Sequence, residues 1–162
     1  MKVLKEKDKI QFILKTLENL YPEPEIPLDH ENNFTFLVAV MLSAQSTDKK
    51  VNEITPSLFK TANSAEKMSK VKTKEIQRLI KQIGLAPTKS KNIKKMSRQL
   101  LEKHNGEVPN NFEDLENLAG VGHKTASVIM SQAFNQPAFP VDTHIHRLAK
   151  RWGLSDGKNV TN

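Results

Sequence analysis

The residues with the most chemical content lie in the last third of the chain. Leu118-Ala119-Gly120-Val121-Gly122-His123-Lys124-Thr125-Ala126 reads as a turn leading into a helix. Its two glycines permit a tight turn and leave the backbone N–H groups at the helix start open to an anion, a DNA phosphate among them. Taken alone, the GxG spacing suits an ordinary helix–helix turn with a glycine cap better. Lys124 falls in the first turn of the second helix. There the positive end of the helix dipole disfavours an ammonium and so favours the neutral amine, which is a nucleophile. A plain surface lysine is the default for the type. Farther on, Pro140-Val141-Asp142-Thr143-His144-Ile145-His146-Arg147 reads as an extended approach to an N-cap aspartate, then a helix carrying Ile145, Leu148 and Ala149. Capping alone explains Asp142, at ~1 kcal/mol. It also keeps the carboxylate ionised, so cap and general base are compatible roles.

Helices must position these groups, because apolar residues recur at helical spacing along the whole chain. Ile10, Ile13, Leu14, Leu17, Leu20 and Tyr21 share one face of a helix that starts near Asp8 and stops at Pro22. The prolines at 22, 24 and 27 make the best internal boundary. Phe34, Leu37, Val38, Met41 and Leu42, with Ala39 and Val40 on the other side, predict a central helix apolar all round. Ser46 or Thr47 caps the next, which carries Val51, Ile54, Leu58 and Phe59 and should kink or restart at Thr55 because of Pro56. Ser64 and Thr73 read as N-caps, the second opening a helix with Ile76, Leu79 and Ile80 that ends at Gly84. From Thr88 to His104 the core face is Ile93, Met96, Leu100 and Leu101. Lys89, Lys91, Lys94 and Lys95 crowd its first turns, opposing the helix dipole by ~0.3–1 kcal/mol each. Either a phosphate backbone compensates them or they form a solvated face. A short helix from Asn111 to Leu118 precedes the glycine turn, and Ala126, Ile129, Met130 and Ala133 form the inner face of the helix after it. No segment alternates with period two, so the fold class is all-α.

Composition narrows the classes further. The chain has 162 residues, 37% apolar, with 25 Lys and Arg against 18 Asp and Glu, a formal charge of +7, and no cysteine. A domain of this length buries about 70% of its unfolded surface, which predicts one sizeable core. Without cysteine, disulfide scaffolds, zinc fingers, thiolate-bound iron–sulfur sites and cysteine nucleophiles are excluded, and no metal ligands are expected. The longest apolar stretch, Phe34 to Ala44, is interrupted by Thr35 and Ser43 and falls short of the ~20 residues that span a bilayer. No signal-peptide core follows the charged residues Met1 to Asp8, so a soluble, cytoplasmic protein with no membrane contact is expected. The basic balance suits a polyanion, although many bacterial housekeeping proteins are also basic.

Five segments carry a family resemblance: Leu42-Ser43-Ala44-Gln45-Ser46-Thr47-Asp48, Ile83-Gly84-Leu85, His104-Asn105-Gly106-Glu107-Val108-Pro109, Leu118 to Ala126, and Val141-Asp142-Thr143-His144. In order and spacing, from about Phe34 to the last residue, they resemble the bacterial endonuclease III family of helix-hairpin-helix DNA glycosylases. The resemblance implies a six-helix domain over residues 28–137 and a partial second helical domain from residues 1–27 and 138–162. It implies that Lys124 attacks C1′ of a damaged nucleotide, expels the base and forms a Schiff base that permits β-elimination. Asp142 matches the aspartate that assists base loss. Gly120, Val121 and Gly122, followed by His123, match the hairpin that holds a DNA phosphate. Gln45 and Leu85 match residues that enter the stack where the flipped nucleotide was, the first as an amide for the orphaned base and the second as an apolar wedge. Asp48 matches a position near the site to which no role is given. The implied partner is double-stranded DNA with damaged bases or abasic sites, bound by a monomer in the bacterial nucleoid. Adenine-mismatch glycosylases lack the hairpin lysine, and oxidised-guanine glycosylases differ around Leu42 to Gln45, so oxidised pyrimidines are the expected substrates. The alternatives are a DNA-binding remnant without turnover and a plain helical interaction protein.

The chain departs from the family pattern in several places. Ala119 stands where proline is usual, His123 where arginine is common, and Ala86 where an aromatic residue commonly follows the leucine wedge. Family members continue past Asn162 to a four-cysteine [4Fe–4S] loop, and cysteines cannot bind that cluster here, so no cofactor is expected. The apolar face of the first helix should then lack part of its packing partner, at roughly 1.5–3 kcal/mol for each side chain left exposed.

Overall fold

A computed structural model describes residues 6–22 and 24–156, and among them it contains nine helices and no strand. Helix α1 (Glu6–Leu20) stops before Pro22 as expected. Helix α2 (Asn33–Ser43) is buried at every position from Phe34 to Leu42, the environment that an all-round apolar helix requires. A reciprocal capping box between Asn32 and Thr35 starts it.

Helix α3 (Asp48–Thr61) is capped by Thr47, whose hydroxyl accepts from the Lys50 backbone N–H. The helix does not restart at Thr55 but runs through Pro56. The proline removes only the bond its own N–H would have made, while Val51, Ile54, Leu58 and Phe59 on both sides of it are buried and hold the helix together. Ser64 caps α4 (Ala65–Lys70) as predicted. Thr73, however, is the first residue of α5 (Thr73–Leu79) and not its cap; Lys72 occupies the cap position with no side-chain hydrogen bond. This helix ends at the fully buried Ile80, four positions before Gly84.

Helix α6 (Ala86–His104) begins two residues earlier than predicted, since Pro87 is well suited to a first turn and Leu85 precedes it in a left-handed conformation. The predicted lysine face is half internal. Lys89 is only 7% exposed, and its Nζ donates to the Leu42 and Ala44 carbonyls. Lys94 Nζ donates to the Val71 carbonyl. Two of the four cations therefore serve as internal donors to ends of other segments, and Lys91 and Lys95 alone face solvent. Helices α7 (Phe112–Glu116), α8 (His123–Phe134) and α9 (Thr143–Arg151) complete the fold.

The buried apolar side chains run from Leu28 to Met130 and draw on α2 to α8. Outside that span the amphipathic helices have no comparable core. Phe12, Leu20 and Tyr21 of α1 and its margin are 66%, 63% and 64% exposed, and no residue of α9 is buried. The stripe read from the sequence of α1 is thus apolar and uncovered within the described residues.

Candidate functional site

The glycine turn is built by close approach. Gly120 has φ +81°, and a Cβ there would lie 2.8–2.9 Å from Asn92 and Met41 atoms. Gly120→Ala should therefore destabilise the fold by ~1–3 kcal/mol, read from urea denaturation. Gly122 differs. It has φ −99° as the N-cap of α8, and a Cβ would meet nothing within 4 Å, so its open side faces outward beside the first free N–H groups of the helix. Val121 between them is buried, and its N–H is donated to the Leu118 carbonyl. Its part in any anion site is therefore to fix the turn.

A residue with no sequence signal secures the turn from behind. Gln99 on α6 accepts the Ala119 N–H at 2.8 Å through Oε1 and donates Nε2 to the Asn117 carbonyl at 3.0 Å. Proline at position 119 would have no N–H to satisfy; alanine exposes one, and Gln99 takes it up. Gln99→Leu should cost ~1–3 kcal/mol by leaving that part-buried donor unpaired. In an Ala119→Pro background the cost should shrink, giving a coupling of ~0.5–1 kcal/mol or more in a double-mutant cycle. Equal costs in both backgrounds would contradict the assignment.

His123 follows the turn, stacked on the Phe112 ring at 5.5 Å with Nδ1 2.6 Å from a Glu116 carboxylate oxygen. It is held against its own chain beside the glycine turn. Lys124 next to it is exposed in the first turn of α8.

Asp142 begins α9 and lines the same cavity as Lys124. One carboxylate oxygen accepts the backbone N–H groups of His144 and Ile145, at 2.9 and 2.8 Å, and the other lies 3.4 Å from the His144 ring. Partial burial alone would raise its pKa. The Ile145 N–H, the His144 ring and N–H, and the nearby Lys124 charge outweigh that, so the carboxyl sits below its ordinary range and is ionised at neutral pH. The open cavity, about 380 Å³, is lined by Lys124, Thr125 and Asp142 together with Gln45 and Asp48. Asp48 and Thr125 are thus additional polar groups in the lining that holds Lys124 and Asp142.

Leu85 does not line this cavity, but its loop touches that of Gln45: a Cβ on Gly84 would be 3.6 Å from the Gln45 carbonyl. Both Gln45 (φ 58°) and Leu85 (φ 61°) are left-handed. The other two such non-glycine residues among those described, Asn105 and Asn135, are helix C-caps, where asparagine is common. For glutamine and leucine the conformation costs ~1–2 kcal/mol each, and such strain persists where surrounding structure imposes it. The strained Leu85 is 56% exposed. An apolar tip held out into solvent at a strained turn has no packing purpose within the described residues.

Residues 38–162 match the family described as HhH-GPD superfamily base excision DNA repair protein. The chain belongs to that superfamily. Among HhH-GPD relatives it is 47% identical over 148 residues to endonuclease III of Haemophilus influenzae, an alignment covering 91% of this chain and 70% of that protein. It is 44% identical over 150 residues to endonuclease III of Bacillus subtilis, covering 93% and 68%. A solved endonuclease III in a non-covalent complex with DNA superposes with a TM-score of 0.91 at 39% identity, covering 98% of this chain and 74% of that one. A thermostable thymine-DNA glycosylase superposes at 0.85 with 25% identity, covering 94% and 72%. The all-α HhH-GPD architecture inferred from the five motifs is therefore the one observed. The residues here do not fit a four-thiolate iron–sulfur cluster, since there is no cysteine, and no group of three or more His, Asp or Glu gathers among the described residues. Nor is any helix among them long and apolar enough to cross a membrane.

Proposed function

We propose that the chain is a bifunctional DNA glycosylase and AP lyase that removes oxidised pyrimidines from duplex DNA. The observation carrying this reading is the placement of Lys124 and Asp142 in the lining of one cavity, each at a helix N-terminus, with the Lys124 charge adding to the Ile145 and His144 hydrogen bonds that hold the carboxyl low. The Lys124 amine, as its neutral form, attacks C1′ of a nucleotide turned out of the stack. The glycosidic C1′–N bond breaks and the base leaves with its electron pair, taking up a proton from solvent. Asp142, ionised and acceptor-only, takes the proton released from the attacking amine or balances the cationic sugar in the transition state. Ring opening gives a Schiff base between Nζ and C1′. Loss of a C2′ proton then expels the 3′ phosphate by β-elimination, and hydrolysis returns the lysine.

Positioning falls to the rest of the site. The turn at Gly120–Gly122 presents the α8 N-terminus to a backbone phosphate. Gln45 and Leu85 fill the space left in the stack, offsetting the few kcal/mol that flipping costs. Gly122→Ala should keep the fold at a cost of about 1 kcal/mol or less, yet weaken DNA binding by placing a methyl where the phosphate approaches, seen in fluorescence-anisotropy titrations. The +7 charge supports a salt-dependent grip on the duplex by a monomer working in the bacterial cytoplasm.

The deciding assay is incubation with duplex carrying one thymine glycol and analysis of strand ends. A bifunctional enzyme releases the base and leaves a 3′ unsaturated aldehyde beside a 5′ phosphate. The second reading, a DNA-binding remnant, is favoured by one observation: Asp142 is carried on α9, none of whose residues is buried. That reading predicts salt-dependent binding with intact strands and intact base.

A further inference from the structure

Lys89 is a buried cation that the chemistry above does not use. We infer that it is a positioning residue that locks the Gln45 and Leu85 loops to each other, so that both tips enter DNA as one rigid wedge. This rests on the proposed insertion of those tips. At one end its backbone N–H donates to the Leu85 carbonyl at 2.9 Å. At the other its Nζ donates to the carbonyls of Leu42 at 2.8 Å and Ala44 at 2.5 Å, the last being the residue directly before Gln45. One residue therefore joins the start of α6, through the backbone bond that opens the helix, to the end of α2, through its side chain, and the side-chain tie ends directly before the left-handed Gln45.

The chemistry of that end of α2 calls for a cation. The last carbonyls of a helix have no partners within it and carry the negative end of its dipole, so an ammonium there is well placed. The two loops also lie near each other, the Gln45 carbonyl being 3.6 Å from where a Cβ on Gly84 would stand. Lys89 is 7% exposed with its donors turned inward, so it is not a phosphate contact, and burial lowers its pKa without any partner carboxylate being involved. Holding two tips at fixed separation shortens the search for the productive geometry, and misplacement by about 1 Å is enough to lose ~10²-fold in rate.

The test compares the full chain with Lys89→Met, which keeps the length of the side chain and removes the donors. The readout is the rate of borohydride trapping on an abasic site in duplex divided by the rate on the same strand alone, where no stack has to be filled. Fluorescence of 2-aminopurine opposite a tetrahydrofuran abasic analogue in duplex serves as a second readout. In the wild-type protein both should depend on Leu85, and Leu85→Ala should lower them. Lys89→Met should lower the trapping ratio and the fluorescence change about 10-fold to 100-fold, with single-strand trapping preserved. A merely structural role would lower both trapping rates together and leave their ratio at the wild-type value, and that result overturns the inference. If the wild-type signals ignore Leu85, the wedge reading itself fails and the inference with it. Should Lys89→Met not fold by circular dichroism, Lys89→Gln, which retains one donor, is put through the same two readouts and judged by the same ratio.

Discussion

Replacing Lys124 by alanine is expected to abolish the covalent adduct trapped by borohydride on abasic DNA, with strand cleavage falling on the order of 10³- to 10⁶-fold. In the proposed mechanism the amine bonds to C1′, and no other lysine lines the cavity to form a Schiff base in its place. Its exposure in the first turn of α8 means the fold should not notice the change, with stability shifting by about 0.5 kcal/mol or less. Duplex binding should weaken by no more than one lost cation and keep its salt dependence. Loss of the adduct with retained binding thus separates chemistry from grip. An adduct of wild-type yield in Lys124→Ala would contradict the assignment.

Asp142→Asn carries the second large effect. Asparagine caps a helix about as well as aspartate, so α9 should still start at Thr143 with its first N–H groups satisfied. What disappears is the charge. Base excision from a thymine glycol duplex should fall ~10²- to 10⁴-fold, the range for losing a positioned acid–base group. Trapping on a pre-formed abasic site should fall much less, because no glycosidic bond remains to break. Asp142→Ala should lose the same activity and in addition ~1 kcal/mol of helix capping, visible in thermal denaturation.

The sign of the pH dependence follows from the lowered carboxyl. A carboxylate held below its ordinary range contributes stability above about pH 3.9, its unfolded value, and loses it as pH falls through the folded value. The stability difference between wild type and Asp142→Asn should therefore be present at neutral pH and vanish in strong acid. An acid limb of the excision rate above about pH 5 would belong to another group.

The sequence made the local features of this protein legible and left the long-range ones hidden. The apolar circumference of α2, the caps at Thr47, Ser64 and Asp142, and the glycine turn before α8 are written in adjacent residues, where periodicity and capping chemistry act directly. Pro56 and Thr73 misled for a common reason: propensity is a weak term, and burial of residues on either side of Pro56, or of Ile76 and Ile80 within and just after α5, decides the outcome. Lys89 was indistinguishable from Lys91 and Lys95 as a charge. Its burial depends on carbonyls at positions 42 and 44, which no local window sees. Gln99 was invisible for the same reason, since the N–H it satisfies belongs to a turn twenty positions away. The resemblance to glycosylases named Gln45 and Leu85 from their motifs, but the left-handed backbone that holds each tip out is a property of packed loops.

The proposed mechanism makes the amine of Lys124 the nucleophile, in the cavity that Asp142 also lines. Its most direct test is peptide mapping of the borohydride-reduced adduct on abasic duplex by mass spectrometry. The sugar fragment is expected on the peptide containing Lys124, at that residue alone, and in wild-type protein but not in Lys124→Ala. An adduct on Lys91, Lys95 or any other lysine, at wild-type yield, would contradict it.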